Sequence, residues 1–310
     1  MVVLLLALAI DLVFGDPPNR YHPVAWIGRL LGAGHRRLCR GSPARLLAGG
    51  ALATIGVAGL AGAAAALVSR VAAGLGITGL LLEALALTCL LSLRDLIGAA
   101  RSVARDLDRG DLPAARRAVG YHLVSRPTAA LDESQVASAT IESVAENLTD
   151  SLVAPVCFFL AGGLVATAVY RVINTADSML GFHRGPLEYF GKTAARLDDL
   201  LNLIPARLAG LSLVAGAALA GESAGGAMAV LRRDRRLTQS PNSGWPMAAM
   251  AGALGVVLEK PGVHRLGAGG VPLTADIERA VRVVAAASAV SVAFAVAVFV
   301  VGATVLGPVR

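Results

Sequence analysis

Residues 46–69 and 283–306 each run for 24 positions without one charged side chain. A helix of that length spans the ~30 Å hydrocarbon core of a bilayer. Inside lipid every backbone N–H and C=O must find an internal partner, so such stretches cross as helices. That constraint predicts an all-α fold, a polytopic membrane helical bundle with about five spans. Composition agrees: 55% of the 310 residues are hydrophobic and 16% charged, against about 25% charged in ordinary soluble domains. So little charge cannot cover a water-facing surface. A soluble globular enzyme, a disordered chain and a disulfide scaffold are excluded. The apolar residues are mainly Ala, Leu, Val and Gly, small enough for close helix approach.

Three further stretches are candidate spans: 75–93, interrupted only by Glu83; 152–170; and the shorter, Gly-rich 208–220. Residues 247–258 are expected to dip into the bilayer or pack on the bundle. Residues 1–15 hold Asp11 and lack a basic start, which reads as a short first helix rather than a signal peptide. Gly74, Gly76 and Gly79 match G-x-G-x-x-G, but no strand leads in, so they read as a tight helical hairpin. Cys39, Cys89 and Cys157 form no CxxC, and the last two read as small apolar helix residues. The whole chain, 1–310, is read as one integral-membrane domain with a polar segment at 94–150 and a second at 171–207. Within the first, 101–117 reads as an amphipathic surface helix with a turn at 110–113.

The net charge is +7. Arginines crowd residues 16–45 and recur at Arg232, Arg233, Arg235 and Arg236. Basic loops stay cytoplasmic, which orients the bundle in the cell (inner) membrane. No basic patch is interleaved with aromatics, so nucleic acid is not an expected partner.

Polar residues next to spans need a reason. Glu142, Glu146 and Asp150 recur every fourth position and share a helix face, with Ser143 and Asn147 beside them. Each like-charge pair at that spacing costs a helix ~0.2–0.5 kcal/mol. A divalent cation would offset the cost; alternatively Asp150 caps a following helix and the glutamates are solvated. After the next apolar stretch come Arg171, Asn174, Asp177 and Ser178, then Lys192, Asp198, Asp199 and Asn202. Glu188 and Arg196 read as ordinary loop charge. Gly185 and Gly191-Lys192-Thr193 fail as a phosphate-binding loop, with five intervening residues where four are required, but Lys192 still suits a phosphate. His22 follows the helix-stopping Pro17-Pro18, and Ser240-Pro-Asn-Ser-Gly244 is a turn able to hold an anion on backbone amides or simply to connect helices.

Taken in order, Asp11-Leu-Val-Phe-Gly-Asp-Pro, His22-Pro-Val-Ala-Trp-Ile-Gly-Arg-Leu, Glu142-Ser-Val-Ala-Glu-Asn-Leu-Thr-Asp-Ser, Tyr170-Arg-Val-Ile-Asn-Thr-Ala-Asp-Ser-Met, Phe190-Gly-Lys-Thr-Ala-Ala-Arg-Leu-Asp-Asp, Asn202-Leu-Ile-Pro-Ala-Arg-Leu and Ser240-Pro-Asn-Ser-Gly resemble the adenosylcobinamide-phosphate synthase family of cobalamin biosynthesis. The resemblance covers about 11–270, and its specific parts are 142–150 and 174–199. It implies a carbon–nitrogen ligase that joins the amine of aminopropanol phosphate, or a related amino alcohol, to a propionate carboxylate of adenosylcobyric acid. ATP is implied as energy source and Mg²⁺ as its counterion. Association with other late corrinoid enzymes is compatible with the basic loops.

That chemistry assigns expected roles. A carboxylate acylates an amine only once it carries a better leaving group, so phosphoryl transfer, cations for phosphate and a base for the ammonium are required. Glu142, Glu146, Asp177, Asp198 and Asp199 are the catalytic candidates. Glu146, Asp150, Asp177 and Asp199 are the metal candidates. Arg171, Lys192 and Arg207 suit phosphate, Asn147, Asn174 and Asn202 suit orientation of substrates, and His22 joins the binding set. A straight crossing at 152–170 would place Asp150 and Arg171 about 32 Å apart at 1.5 Å per residue. Pro155 and Gly162-Gly163 are therefore expected to break the helix, 208–220 to return without spanning, and both acidic blocks to face the cytoplasmic side. Two other classes share some of these features. An intramembrane prenyltransferase binds Mg-diphosphate on acidic helices, but its paired Asp-rich motifs are absent. A corrinoid transporter or membrane scaffold would show internal repeats with broken helices, and none is visible.

Overall fold

The computed structural model describes residues 1–182 and 184–306, with the side chain of Leu306 outside the description. In chain order the helices are α1 (Val2–Phe14), α2 (Pro23–Leu38), α3 (Pro43–Ala73), α4 (Gly76–Thr88), α5 (Leu93–Asp108), α6 (Leu112–His122), α7 (Glu133–Leu148), α8 (Ala154–Leu180), α9 (Leu187–Phe190), α10 (Lys192–Leu201), α11 (Leu203–Leu219), α12 (Ala224–Asp234), α13 (Gly244–Leu254) and α14 (Thr274–Leu306). A π-helical turn, Thr149–Val153, joins α7 to α8. The antiparallel strands β1 (Leu258–Lys260) and β2 (His264–Leu266) form a small hairpin. Four helical stretches are long and apolar enough to cross a membrane: Pro43–Ala73, Gly76–Asp108, Glu133–Leu180 and Thr274–Val305. A fifth exists if Lys192–Leu201 and Leu203–Leu219 count as one. The predicted all-α bundle of about five spans is the fold observed.

The chain builds two compact units, Met1–Ser92 with Pro155–Asn202, and Leu93–Ala154 with Leu203–Arg310. In the first, α2 starts where His22 accepts the Val24 N–H on Nδ1 at 3.1 Å, with Pro23 preset for the first turn. His35, Arg36 and Arg37 end it, complementing the helix dipole. Ile27 and Leu31 of α2 pack with Ala58 of α3, Val172 and Ala176 of α8 and Ala194 of α10. The hairpin between α3 and α4 is as tight as the glycines predict: a Cβ at Gly79 would lie 1.9 Å from the Ala72 carbonyl oxygen. The span expected over 75–93 falls within the apolar stretch Gly76–Asp108, in which α4 ends at Thr88, residues 89–90 turn, and residues 91–92 lead into α5.

The second unit sets α11, α12, α13 and α14 against one another and α7 against α5, α6, α13 and α14. Asp132 and Gln135 close a reciprocal capping box at the start of α7. The expected surface helix over 101–117 is instead two helices. Gly110 turns the chain at φ +72°, and Asp111 caps α6 by accepting the Ala114 N–H at 2.9 Å. Asp150 does not cap a new helix; α7 passes through the π turn into α8 without a break. Of residues 247–258, the part up to Leu254 is packed on the bundle within α13 and buried; the chain leaves helical geometry at the exposed Gly255, φ +68°, and Leu258 opens β1.

Candidate functional site

The break expected within 152–170 is present. Gly162 (φ −157°, ψ 26°) and Gly163 (φ 63°, ψ −154°) leave helical geometry inside α8. The latter conformation is open essentially to glycine alone. The half of α8 beyond it carries Tyr170, Arg171, Asn174 and Asp177.

These residues meet α10 in the first unit. The Tyr170 hydroxyl donates to Asn202 Oδ1 at 3.1 Å. Asn202 Nδ2 donates to Asp198 Oδ2 at 3.0 Å, and Asn174 Nδ2 donates to Asp198 Oδ1 at 3.2 Å. Asp198 thus holds one carboxamide on each oxygen. Tyr170 is fully buried and stacks on Phe158 at 4.7 Å. Arg171, also buried, donates to Ser92 Oγ at 3.2 Å. Asp177 and Asp199 are half-buried, and Lys192 is exposed at the start of α10. His22 is occupied as a helix cap, with its Nε2 3.3 Å from Asp16.

Glu142, Glu146, Asn147 and Asp150 belong to the second unit. Glu142 is buried, and its Oε1 accepts from Ser138 Oγ at 3.2 Å. The Ser138 oxygen in turn accepts the Glu259 N–H at 2.9 Å, so its proton is directed at Glu142. Glu142 Oε2 lies 3.5 Å from His264 Nε2, both side chains being more than nine-tenths buried. The hairpin therefore lays a histidine and a backbone donor on the acidic face of α7. Arg207 donates to Asn242 Oδ1 at 2.6 Å. Among the described residues no three His, Cys, Asp or Glu side chains form a ready metal site. Of the metal candidates, Glu146 and Asp150 lie in the second unit and Asp177 and Asp199 in the first.

Sequence reasoning did not find Tyr170, Ser138 or His264 as partners of these groups. Tyr170 and Asn202 are 32 residues apart, and Ser138 and Glu259 are 121 apart. No local spacing signals either pair. Two three-residue strands are also too short to show alternation.

Four to five membrane-length apolar helices around buried polar networks define a polytopic α-helical membrane protein. Its relatives are equally consistent. A family model described as CobD/Cbib protein matches residues 4–302, and the chain belongs to that family. A "Cobalamin biosynthesis protein CobD" of Dehalococcoides mccartyi is 40% identical over 268 residues, 86% of each chain. A "Probable cobalamin biosynthesis protein CobD" of Thermococcus kodakarensis is 41% identical over 283 residues, 91% of this chain and 90% of its own. The protein of that first description from Klebsiella pneumoniae is 39% identical over 261 residues, 82% of this chain and 81% of its own. No solved structure matches the chain.

Proposed function

We propose that this protein is an enzyme of cobalamin biosynthesis that forms an amide between aminopropanol phosphate, or a related amino alcohol, and a propionate carboxylate of adenosylcobyric acid. The product is adenosylcobinamide phosphate. The observation that carries this reading is the family match over residues 4–302, which contains both acidic blocks. ATP phosphorylates the corrinoid carboxylate, the amine attacks the acyl phosphate, and inorganic phosphate leaves. Mg²⁺, when bound, screens the charge of the nucleotide phosphates. Glu146 and Asp150, on successive turns, would hold it in the second unit, and Asp177 and Asp199 are the acids suited to it in the first.

The chain's own groups do the rest. Glu142, fixed on one oxygen by Ser138, is a base suited to take a proton from the ammonium. Asp198 holds Asn174 and Asn202 in place, and those carboxamides orient substrate. Arg171, Lys192 and Arg207 balance phosphate charge. Asn147 lies beside the acidic face of α7, and His22 supports the loop into α2. The reaction faces the cytoplasm in the inner membrane, as the basic segments at 16–45 and 232–236 support.

The test is mass spectrometry of purified protein given adenosylcobyric acid, aminopropanol phosphate, ATP and Mg²⁺. Adenosylcobinamide phosphate is expected with the native chain and not with Asp177→Ala. No product from the native chain would overturn the reading. Label exchange between ADP and ATP that requires corrinoid but no amine is expected from the acyl-phosphate step; amide product formed without any such exchange or ADP release would refute that step alone.

A further inference from the structure

Three elements of the second unit meet around the indole of Trp245, in the first turn of α13. From α11 comes Arg207, its guanidinium carbon 5.0 Å from the ring centroid. From the end of α12 comes Arg235, at 5.3 Å from the same centroid. Two glycines permit this convergence. A Cβ at Gly210, one turn beyond Arg207, would lie 3.1 Å from the Trp245 carbonyl oxygen, and one at Gly244 would lie 2.3 Å from the Arg235 carbonyl oxygen.

The charge is not balanced. Arg207 bonds the neutral carboxamide of Asn242, and Arg235 bonds the carbonyl of Arg232. Neither has a carboxylate within ion-pair distance among the described residues. The adjacent acid, Asp234, is committed: it takes two hydrogen bonds from Arg233, at 2.6 and 2.7 Å, and the Gly267 N–H at 2.7 Å. Both arginines and the indole are half-buried. Two cations on one ring repel each other, and the ring quadrupole offsets this only in part. A guanidinium pair matches the oxygens of a phosphate group, which takes parallel N–H···O bonds from each.

We propose that Arg207 and Arg235, flanking Trp245, bind the phosphate group of an anionic ligand. The ligand is either a soluble phosphate compound or the headgroup of an anionic phospholipid. The inference rests at Arg207 on the ligase reading, which already gives that residue a phosphate, and deepens it by adding Arg235 and Trp245; its test reads binding without turnover, so the two can fail separately.

Trp26 and Trp245 are the two tryptophans of the chain, so Trp26→Phe leaves Trp245 as the sole reporter. The full-length variant is placed in phosphatidylcholine nanodiscs and titrated with pyrophosphate, and in parallel reconstituted in phosphatidylglycerol nanodiscs. A saturable change in Trp245 emission with pyrophosphate assigns the site to soluble phosphates. The same change produced by phosphatidylglycerol alone, with no further response to pyrophosphate, assigns it to a headgroup. Arg207→Gln and Arg235→Gln are each expected to raise the half-saturation point by about tenfold or more, the loss of one charge-assisted pair. Arg235→Lys keeps the charge and the fold but loses the fork, and should weaken binding less than Arg235→Gln. Flat titrations in both bilayers, a response equalled by chloride at matched ionic strength, or a half-saturation unchanged in all three variants would overturn the proposal.

Discussion

Asp198 shows how a single side chain can be read correctly in part. Its four-residue spacing from Asn202 is visible in the sequence, and the two are hydrogen-bonded. The second partner, Asn174, comes from another helix 24 residues away, and no spacing announces it. Removing the acid strands two buried donors. Asp198→Ala is therefore expected to destabilise the protein by about 1–3 kcal/mol, measured by denaturant unfolding in lipid nanodiscs; an unchanged midpoint would show that the carboxamides find other partners. His264 makes the converse case. A lone histidine between two glycine-rich stretches carries no signal, yet its Nε2 faces Glu142 in a buried setting. If that pair fixes the carboxylate, His264→Ala should lower kcat more than it raises KM, and His264→Asn should recover part of the loss. Equal kcat in native and His264→Ala protein would remove His264 from the site.

At the level of elements, long apolar runs were legible because they need only composition and length to be recognised. The break in α8 was legible because two adjacent glycines lack the side chains that hold a helix straight, while Pro155, seven residues earlier, leaves the helix unbroken. Gly163→Ala tests it directly. At φ 63° and ψ −154°, a Cβ is expected to cost about 1–3 kcal/mol, seen as a lower unfolding midpoint; no change would mean the break relocates freely. The hairpin and its tether were not legible, since three-residue strands are held by tertiary contacts rather than by pattern. Asp234 supplies one such contact. The Arg233 guanidinium, and after it the Gly267 N–H, hold its carboxyl below the usual carboxylate range. A carboxyl lowered on folding stabilises the folded state in full above its ordinary value and loses that contribution as pH falls through the lowered one. Asp234→Asn should flatten the acid limb of a stability–pH curve while leaving its shape near neutrality unchanged. An acid limb identical to the native one would assign the loss to other carboxyls.

For the whole molecule, the distribution of arginine predicts which side of the membrane each connection occupies. In a cysteine-free background, Ser42→Cys and Thr238→Cys should react with an impermeant maleimide only after the inner membrane is opened. Labelling of either in intact spheroplasts would invert the orientation and with it the side on which the corrinoid is handled. Family membership was legible from dispersed words such as Glu142-Ser-Val-Ala-Glu-Asn and Tyr170-Arg-Val-Ile-Asn, and the match over residues 4–302 agrees. How those words are held by neighbours was not, because most of their partners lie on other helices.

Neither compact unit is a continuous stretch of chain: Met1–Ser92 needs Pro155–Asn202, and Leu93–Ala154 needs Leu203–Arg310. A ribosome delivering this protein has therefore released the opening segment long before its complement exists. Leu31 and Ala58 must wait for Val172 and Ala194 to fill their core. No single cut separates the units intact, and a gene split after residue 154 would encode two fragments that each hold part of both. Such fragments should accumulate only when made together.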